Sequence, residues 1–261
     1  MSRRLVALLL LALAVGVAAL RGPLADVLDV VQQRGELRVA VPQDFAPFGI
    51  VGRDLEPRGY DIDVARLLAD DLGVRLALVP VTSVNRIPYL QTGKVDVVIS
   101  SLGRNAEREK VIDFSVPYAP FFSGVFGPPQ FPVKSADDLA GLRVGVTRGA
   151  IEDLELSRIV PPTTVVKRYE DNAGTISAFL SGQVDLIATG NVVAAALAAQ
   201  EPAREPSLRF LIKSSPCHIG VRKGETQLLQ SVNAVISRAR ADGSLDRIAV
   251  RWLGAPLPED L

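Results

Sequence analysis

The chain has 261 residues, enough for two modest α/β lobes or one large domain, and its 48% hydrophobic content suits a packed core. Lysine plus arginine balance aspartate plus glutamate at 29 each with no basic run, which argues against nucleic acid as a partner. One cysteine, Cys217, excludes an internal disulfide and a cysteine-based zinc cluster; one histidine, His218, excludes a histidine-rich metal site and weighs against a Ser-His-Asp triad, so no metal or cofactor is expected.

Arg3 and Arg4 lead into an apolar run from Leu5 to Leu20, with small residues at Val17, Ala18 and Ala19. This is the pattern of a secretory signal cut after Ala19, so residues 1–25 are expected to be a signal peptide and a short N-terminal segment. The run is short for a membrane span and no second apolar span follows it. LRVAV (Leu37 to Val41) reads as a strand, and Pro42 and Pro47 deny helix to the loop PQDFAPF after it. In GYDIDVARLLADDLGV, Ile62, Ala65, Leu68, Ala69 and Leu72 fall at helical spacing, with Asp61 expected to cap the start and Gly73 to end it. Leu76 to Val81 reads as the next strand.

The stretch from Asn85 to Arg108 predicts a helix, a Gly93 turn, and a short buried strand (Val95, Val97, Val98, Ile99) ending in Ser100 and Ser101, with Arg108 seven residues on. A hydroxyl at a strand's carboxyl end with a guanidinium close behind is how an open α/β sheet builds an anion site. Thr175 to Gly190 repeats this grammar around Gly182 and Asp185, and LRVGV (Leu142 to Val146) repeats LRVAV. Two repeats in the same order predict two related lobes. Between them, DFSVPYAPFFSGVFGPPQF is rich in aromatics, proline and glycine and reads as a crossing near Phe122 to Gly127. Asp137 or Asp138 is expected to cap a short helix, and Gly149 to turn into a helix whose free amides face an anion. A second crossing is expected near Ser214 to Ile219. Two closing helices, with Leu228, Val232, Val235, Ile236 and Ala239 on one face and Leu245, Ile248, Ala249, Trp252 and Leu253 on the other's, are expected to pack back on lobe one.

From about Gly35 to Gly254 the chain resembles the periplasmic solute-binding proteins of ABC importers, polar amino acid type (bacterial extracellular solute-binding protein family 3). The resemblance rests on DFAPF, GYDIDVARLLADDLGV, NRIPYLQTGKVDVVIS, the block from Glu107 to Tyr118, DDLAGLRVGV and ADGSLDRIAVRWLG. It implies an α/β fold of two lobes, each a mixed sheet flanked by helices, with the ligand cleft between them. Lobe one would be discontinuous (26–123 with 219–261) and lobe two would be 124–218. It implies a periplasmic monomer, not an enzyme, that traps a small carboxylate, an acidic amino acid first, and docks on a membrane permease.

The resemblance puts Arg108 on the ligand α-carboxylate, with Ser101 and the Gly103 backbone beside it; a planar guanidinium suits a carboxylate. It puts Arg86 and Ser83 on a side-chain carboxylate, Phe45 over the ligand, and Asn172 among the polar contacts. Two departures stand out. Relatives hold the ligand ammonium with an aspartate where this chain has Gly190, and offer Ser or Thr where it has Ala150 and Ile151, leaving backbone amides and Arg148 on that side. The first departure predicts a weak demand for an α-amine, unless Asp171, Glu152 or Asp153 replaces the missing anion. A dicarboxylate or other organic acid is therefore an alternative ligand. A cyclohexadienyl-type dehydratase on the same fold is another alternative, although a helix start should lower the pKa of Glu152 or Asp153 rather than raise it.

Overall fold

The computed structural model describes residues 26–261, so the expected signal segment lies outside them. The chain opens with helix α1 (Val27–Arg34) and strand β1 (Glu36–Pro42), then a small antiparallel sheet of β2 (Asp44–Phe45), β3 (Gly49–Val51) and β4 (Pro57–Arg58). Next come α2 (Tyr60–Asp71), β5 (Arg75–Val81), α3 (Arg86–Gln91), β6 (Val97–Gly103), α4 (Ala106–Glu109) and β7 (Ile112–Ala119). The second lobe holds β8 (Phe122–Gly127), a 3-10 turn (Asp137–Leu139), β9 (Arg143–Thr147), α5 (Ile151–Leu156), β10 (Val165–Tyr169), α6 (Asn172–Leu180), β11 (Leu186–Gly190), α7 (Asn191–Ala198) and β12 (Ser207–Ser214). The chain then returns through β13 (Cys217–Arg222), α8 (Thr226–Ala241) and α9 (Ser244–Leu253).

Each lobe is built on a five-stranded mixed sheet, in the orders β5-β1-β6-β13-β7 and β10-β9-β11-β8-β12. The two are the same plan used twice: three parallel strands, then an antiparallel strand supplied from across the crossing, then an edge strand. The sequence repeats have a shared physical purpose. Asp96, after the Gly93 turn, accepts from the Arg38 backbone N–H and guanidinium at 2.8 Å each, fixing the start of β1. Asp185, after the Gly182 turn, does the same for Arg143 at the start of β9, at 2.8 and 2.7 Å. Gly93 and Gly182 both have left-handed φ, 71° and 75°, which glycine adopts without a Cβ penalty.

The apolar stripe of α2 lies against the first sheet, and α8 buries Leu228, Val232, Val235, Ile236 and Ala239, the residues its spacing predicts. In α9, Leu245 and Ala249 are buried, while Ile248, Trp252 and Leu253 pack at the margin of the same core. Three local expectations change. Asp61 does not cap α2; Gly59 holds the cap position and Asp61 is buried in the core. Asp138 accepts from Lys134 and Ser135 ahead of the 3-10 turn, whose cap residue is Ala136. The stretch Phe122 to Gly127 is a strand paired on both sides within the second sheet, so the chain crosses at Pro120 and Phe121, and returns at Ser215 and Pro216. No helix among the described residues is long and apolar enough to cross a membrane.

Candidate functional site

Parallel strands carry their free carboxyl ends, and the loops beyond them, toward a common crevice. Here the crevice becomes a cavity between the lobes with about 380 Å³ free of protein atoms, part of it open to solvent. The first lobe contributes Pro42 at the end of β1, Phe45 of β2, Val81 at the end of β5 and Ser83 beyond it, Arg86 at the start of α3, and Ser100 and Ser101 on β6. The second lobe contributes Ala150, Ile151 and Glu152 at the start of α5, and Asn172 at the start of α6, while Phe121 enters from the crossing. Six of the residues expected from the sequence therefore meet here: Phe45, Ser83, Arg86, Ser101, Ile151 and Asn172.

Arg86 is 4% exposed. Its Nη1 donates to the Ser100 carbonyl, and its Nε is buried without a partner. Burial pulls its pKa below the ordinary arginine value, opposed by Glu152 and more weakly by Cys217, Tyr118 and Asp61. Glu152 is buried opposite, with Oε1 accepting from the Ser123 hydroxyl at 3.1 Å. Burial pushes its carboxyl above the ordinary value, against the Ser123 bond and the Arg86 and Arg108 charges. The expectation of a lowered pKa at a helix start fails because desolvation between two lobes outweighs the dipole of a single short turn.

Ser101 is held in a left-handed conformation, φ 42°, unusual for a residue with a Cβ. Its backbone N–H donates to Asp61 Oδ2 at 2.8 Å, and the Tyr118 hydroxyl donates to Asp61 Oδ1 at 2.6 Å. Burial pushes the Asp61 carboxyl up to about 7, opposed by those two hydrogen bonds and by Arg86. Asp61, read from the sequence as a helix cap, is thus the support behind the strand end that lines the cavity.

Three expected residues lie outside the cavity lining. Arg108 is buried, but Nη1 donates to the Gly103 carbonyl at 2.6 Å and Nη2 to the Gly149 carbonyl at 2.9 Å, tying the lobes together behind the Ala150–Ile151 wall. Its pKa is pushed down to about 9 by burial and by Arg86. Gly103 serves as that acceptor. Gly190 lies beneath the Phe121 ring, where an added Cβ would stand 2.1 Å from a ring carbon. Phe121 belongs to an aromatic group with Phe45 and Phe48, at centroid distances of 6.4 and 5.8 Å.

The candidate replacement anions divide clearly. Asp171 caps α6 through the Gly174 N–H at 2.7 Å, and Asp153 accepts from the Gly149 N–H at 3.0 Å and Arg168 at 2.8 Å. The Gly149 amide expected to meet an anion is therefore already occupied from within the chain. Arg148 pairs with Glu170. Asn172 lines the cavity, yet its backbone and side-chain N–H groups donate to Asp44 at 2.8 and 3.0 Å, a bond between lobes. Among the described residues, no group of three or more His, Cys, Asp and Glu is placed to hold a metal.

Sequence and structure comparisons agree with this architecture. The family model described as "Bacterial extracellular solute-binding proteins, family 3" matches residues 37–255. The L-cystine-binding protein TcyJ of Escherichia coli K12 is 29% identical over 232 residues, spanning 87% of this chain and 86% of that protein. A crystal structure of the P235GK mutant of ArgBP from T. maritima superposes with a TM-score of 0.81 at 30% identity, covering 87% of this chain and 99% of that one. An ancestral amino acid-binding protein described as a precursor of cyclohexadienyl dehydratase gives a TM-score of 0.78 at 31% identity, again with 87% and 99% coverage.

Proposed function

The chain belongs to the bacterial extracellular solute-binding proteins, family 3, and we propose on that premise that it is the periplasmic substrate-binding component of an ABC-type importer, taking a polar amino acid between its lobes and docking as a monomer on a membrane permease. The observation that carries this reading is Arg86: a guanidinium buried in an interlobe cavity, with Nε unpartnered. A buried charge without a partner is costly, and a ligand carboxylate supplies one. The curated relative named above, TcyJ, is described as an L-cystine-binding protein.

An acidic amino acid is the first candidate ligand. Arg108 feels the charge of Arg86, and burial raises the pKa of the nearby Asp61 and Glu152 carboxyls. The resulting field favours an anionic guest. The family resemblance assigns Arg108 to the α-carboxylate, a role that would require ligand oxygens to replace the Gly103 or Gly149 carbonyl.

Mass spectrometry of a ligand that co-purifies with the protein, followed by calorimetry against the amino acids, tests the reading. Aspartate or glutamate should bind most tightly. Failure of every amino acid to bind would overturn it.

A second reading has one observation in its favour. Glu152 presents a buried carboxyl with a raised pKa to the cavity, which is what a general acid expelling water from a cyclohexadienyl acid would need. Ultraviolet absorbance would rise on incubation with such a substrate if this reading held, and stay flat if the chain only binds.

A further inference from the structure

We propose that Glu152 is the counter-charge for the ligand's ammonium group, facing Arg86 as the partner of a ligand carboxylate across one cavity. The proposal deepens the amino acid-binding reading and rests on it. The ligand class it specifies is a small molecule carrying a primary ammonium and a carboxylate.

Arg86 and Glu152 line the same cavity from opposite lobes, and both are at least nine-tenths buried. They do not pair with each other: Arg86 donates to the Ser100 carbonyl and Glu152 accepts from the Ser123 hydroxyl, leaving Nε of Arg86 without a partner. A guanidinium and a carboxyl that share a cavity without closing on one another give it one cationic and one acidic end. A guest with the reversed dipole satisfies both at once.

Glu152 is the one carboxyl that lines the cavity among the described residues. Both oxygens of Asp61 are engaged by Ser101 and Tyr118, and those of Asp153 by Gly149, Ser157 and Arg168. Asp171 caps α6. The Gly190 position is filled by the Phe121 ring and has no space for a side chain. Among the described residues the counter-charge for an ammonium in this cavity therefore falls to Glu152. Burial discourages Glu152 from ionising; an ammonium beside it reverses that bias. A plain diacid would instead bring a second anion against the same carboxyl.

Calorimetry with L-aspartate against succinate, and L-glutamate against glutarate, tests this. The unmodified protein should prefer each amino acid over its amine-free analogue by at least tenfold. Glu152→Gln, which keeps the shape and the Ser123 hydrogen bond, should reduce that preference to threefold or less, mainly by weakening the amino acid. Glu152→Asp should keep the preference at lower affinity, and carries the test should Glu152→Gln not fold. An unchanged preference in Glu152→Gln, parity of amino acid and diacid in Glu152→Asp, or parity in the unmodified protein would overturn the proposal while leaving the carrier reading in place. Binding of neither partner of either pair, nor of any other amino acid, would remove both.

Discussion

At the level of single residues, the cavity is governed by buried charge. Removing one partner from a desolvated charge pair costs about 2–5 kcal/mol, roughly 30- to 5,000-fold in affinity. Arg86→Ala should therefore weaken the amino acid ligand by that factor in calorimetry, with the melting temperature of the empty protein little changed or raised. Its removal also leaves Nε no longer stranded. Gly190 behaves differently. With a ring carbon 2.1 Å from where a Cβ would stand, Gly190→Asp should not restore an ammonium site; overpacking of about 1–3 kcal/mol should lower the melting temperature. Asp61 adds a pH dependence. Its ordinary value is 3.8 and its folded value about 7, so the folded protein holds the proton through a window in which the unfolded chain has released it. Unfolding then sheds a proton, and stability should fall as pH rises from about 4 to about 7 and level off above that. Asp61→Asn should flatten this slope in urea titrations at pH 5 and pH 8, since the Tyr118 hydroxyl can accept from the new amide.

At the level of elements, the closed cleft depends on helix ends reaching across it. Asp44 of β2 accepts from the backbone N–H groups of Asn172 and Ala173 at 2.8 and 3.0 Å, so one lobe helps satisfy the first turn of a helix in the other. Losing such a capping carboxylate typically costs about 0.5–2 kcal/mol. Asp44→Ala should therefore favour an open form, seen as a larger radius of gyration of the empty protein in small-angle scattering. Local periodicity made the helices legible: the buried face of α8 and the apolar stripe of α2 follow from spacing alone. The strand Phe122–Gly127 was not legible, because its aromatics and glycines resemble a linker. Only pairing with β11 and β12, far along the chain, makes it a strand. From the sequence Glu152 is one of three carboxylates that could replace the missing anion, and spacing alone does not choose among them. A carboxylate in a first helical turn reads as a dipole partner until the other lobe covers it. That Arg86 and Phe45 line the cavity was legible because the resemblance fixed their places relative to short, ordered motifs.

For the whole molecule, the two crossings are short: Pro120–Phe121 outward and Ser215–Pro216 back. Hinge closure around a cleft needs only a few such residues to absorb the change in dihedrals. Saturating amino acid should reduce the radius of gyration of Asp44→Ala toward that of the unmodified protein, because a guest bridging Arg86 and Glu152 replaces the lost contact between lobes. An unchanged scattering curve would count against closure as the trapping step.

The strand order also sets when each half can be completed during synthesis. All five strands of the second sheet lie between Phe122 and Ser214, one uninterrupted stretch. The first sheet has its fourth strand, Cys217–Arg222, inserted between two strands made about a hundred residues earlier, and α8 and α9 cover it only after that. Long-range pairing of this kind is slow, since loop closure precedes any reward. A nascent chain emerging from the ribosome would thus carry a half-built amino-terminal sheet until almost its last segment had appeared, while the middle of the chain could already be folded. Pulse-labelled hydrogen exchange during refolding should accordingly protect Val144, Leu186 and Val125 before Val39, Ile99 and Ile219.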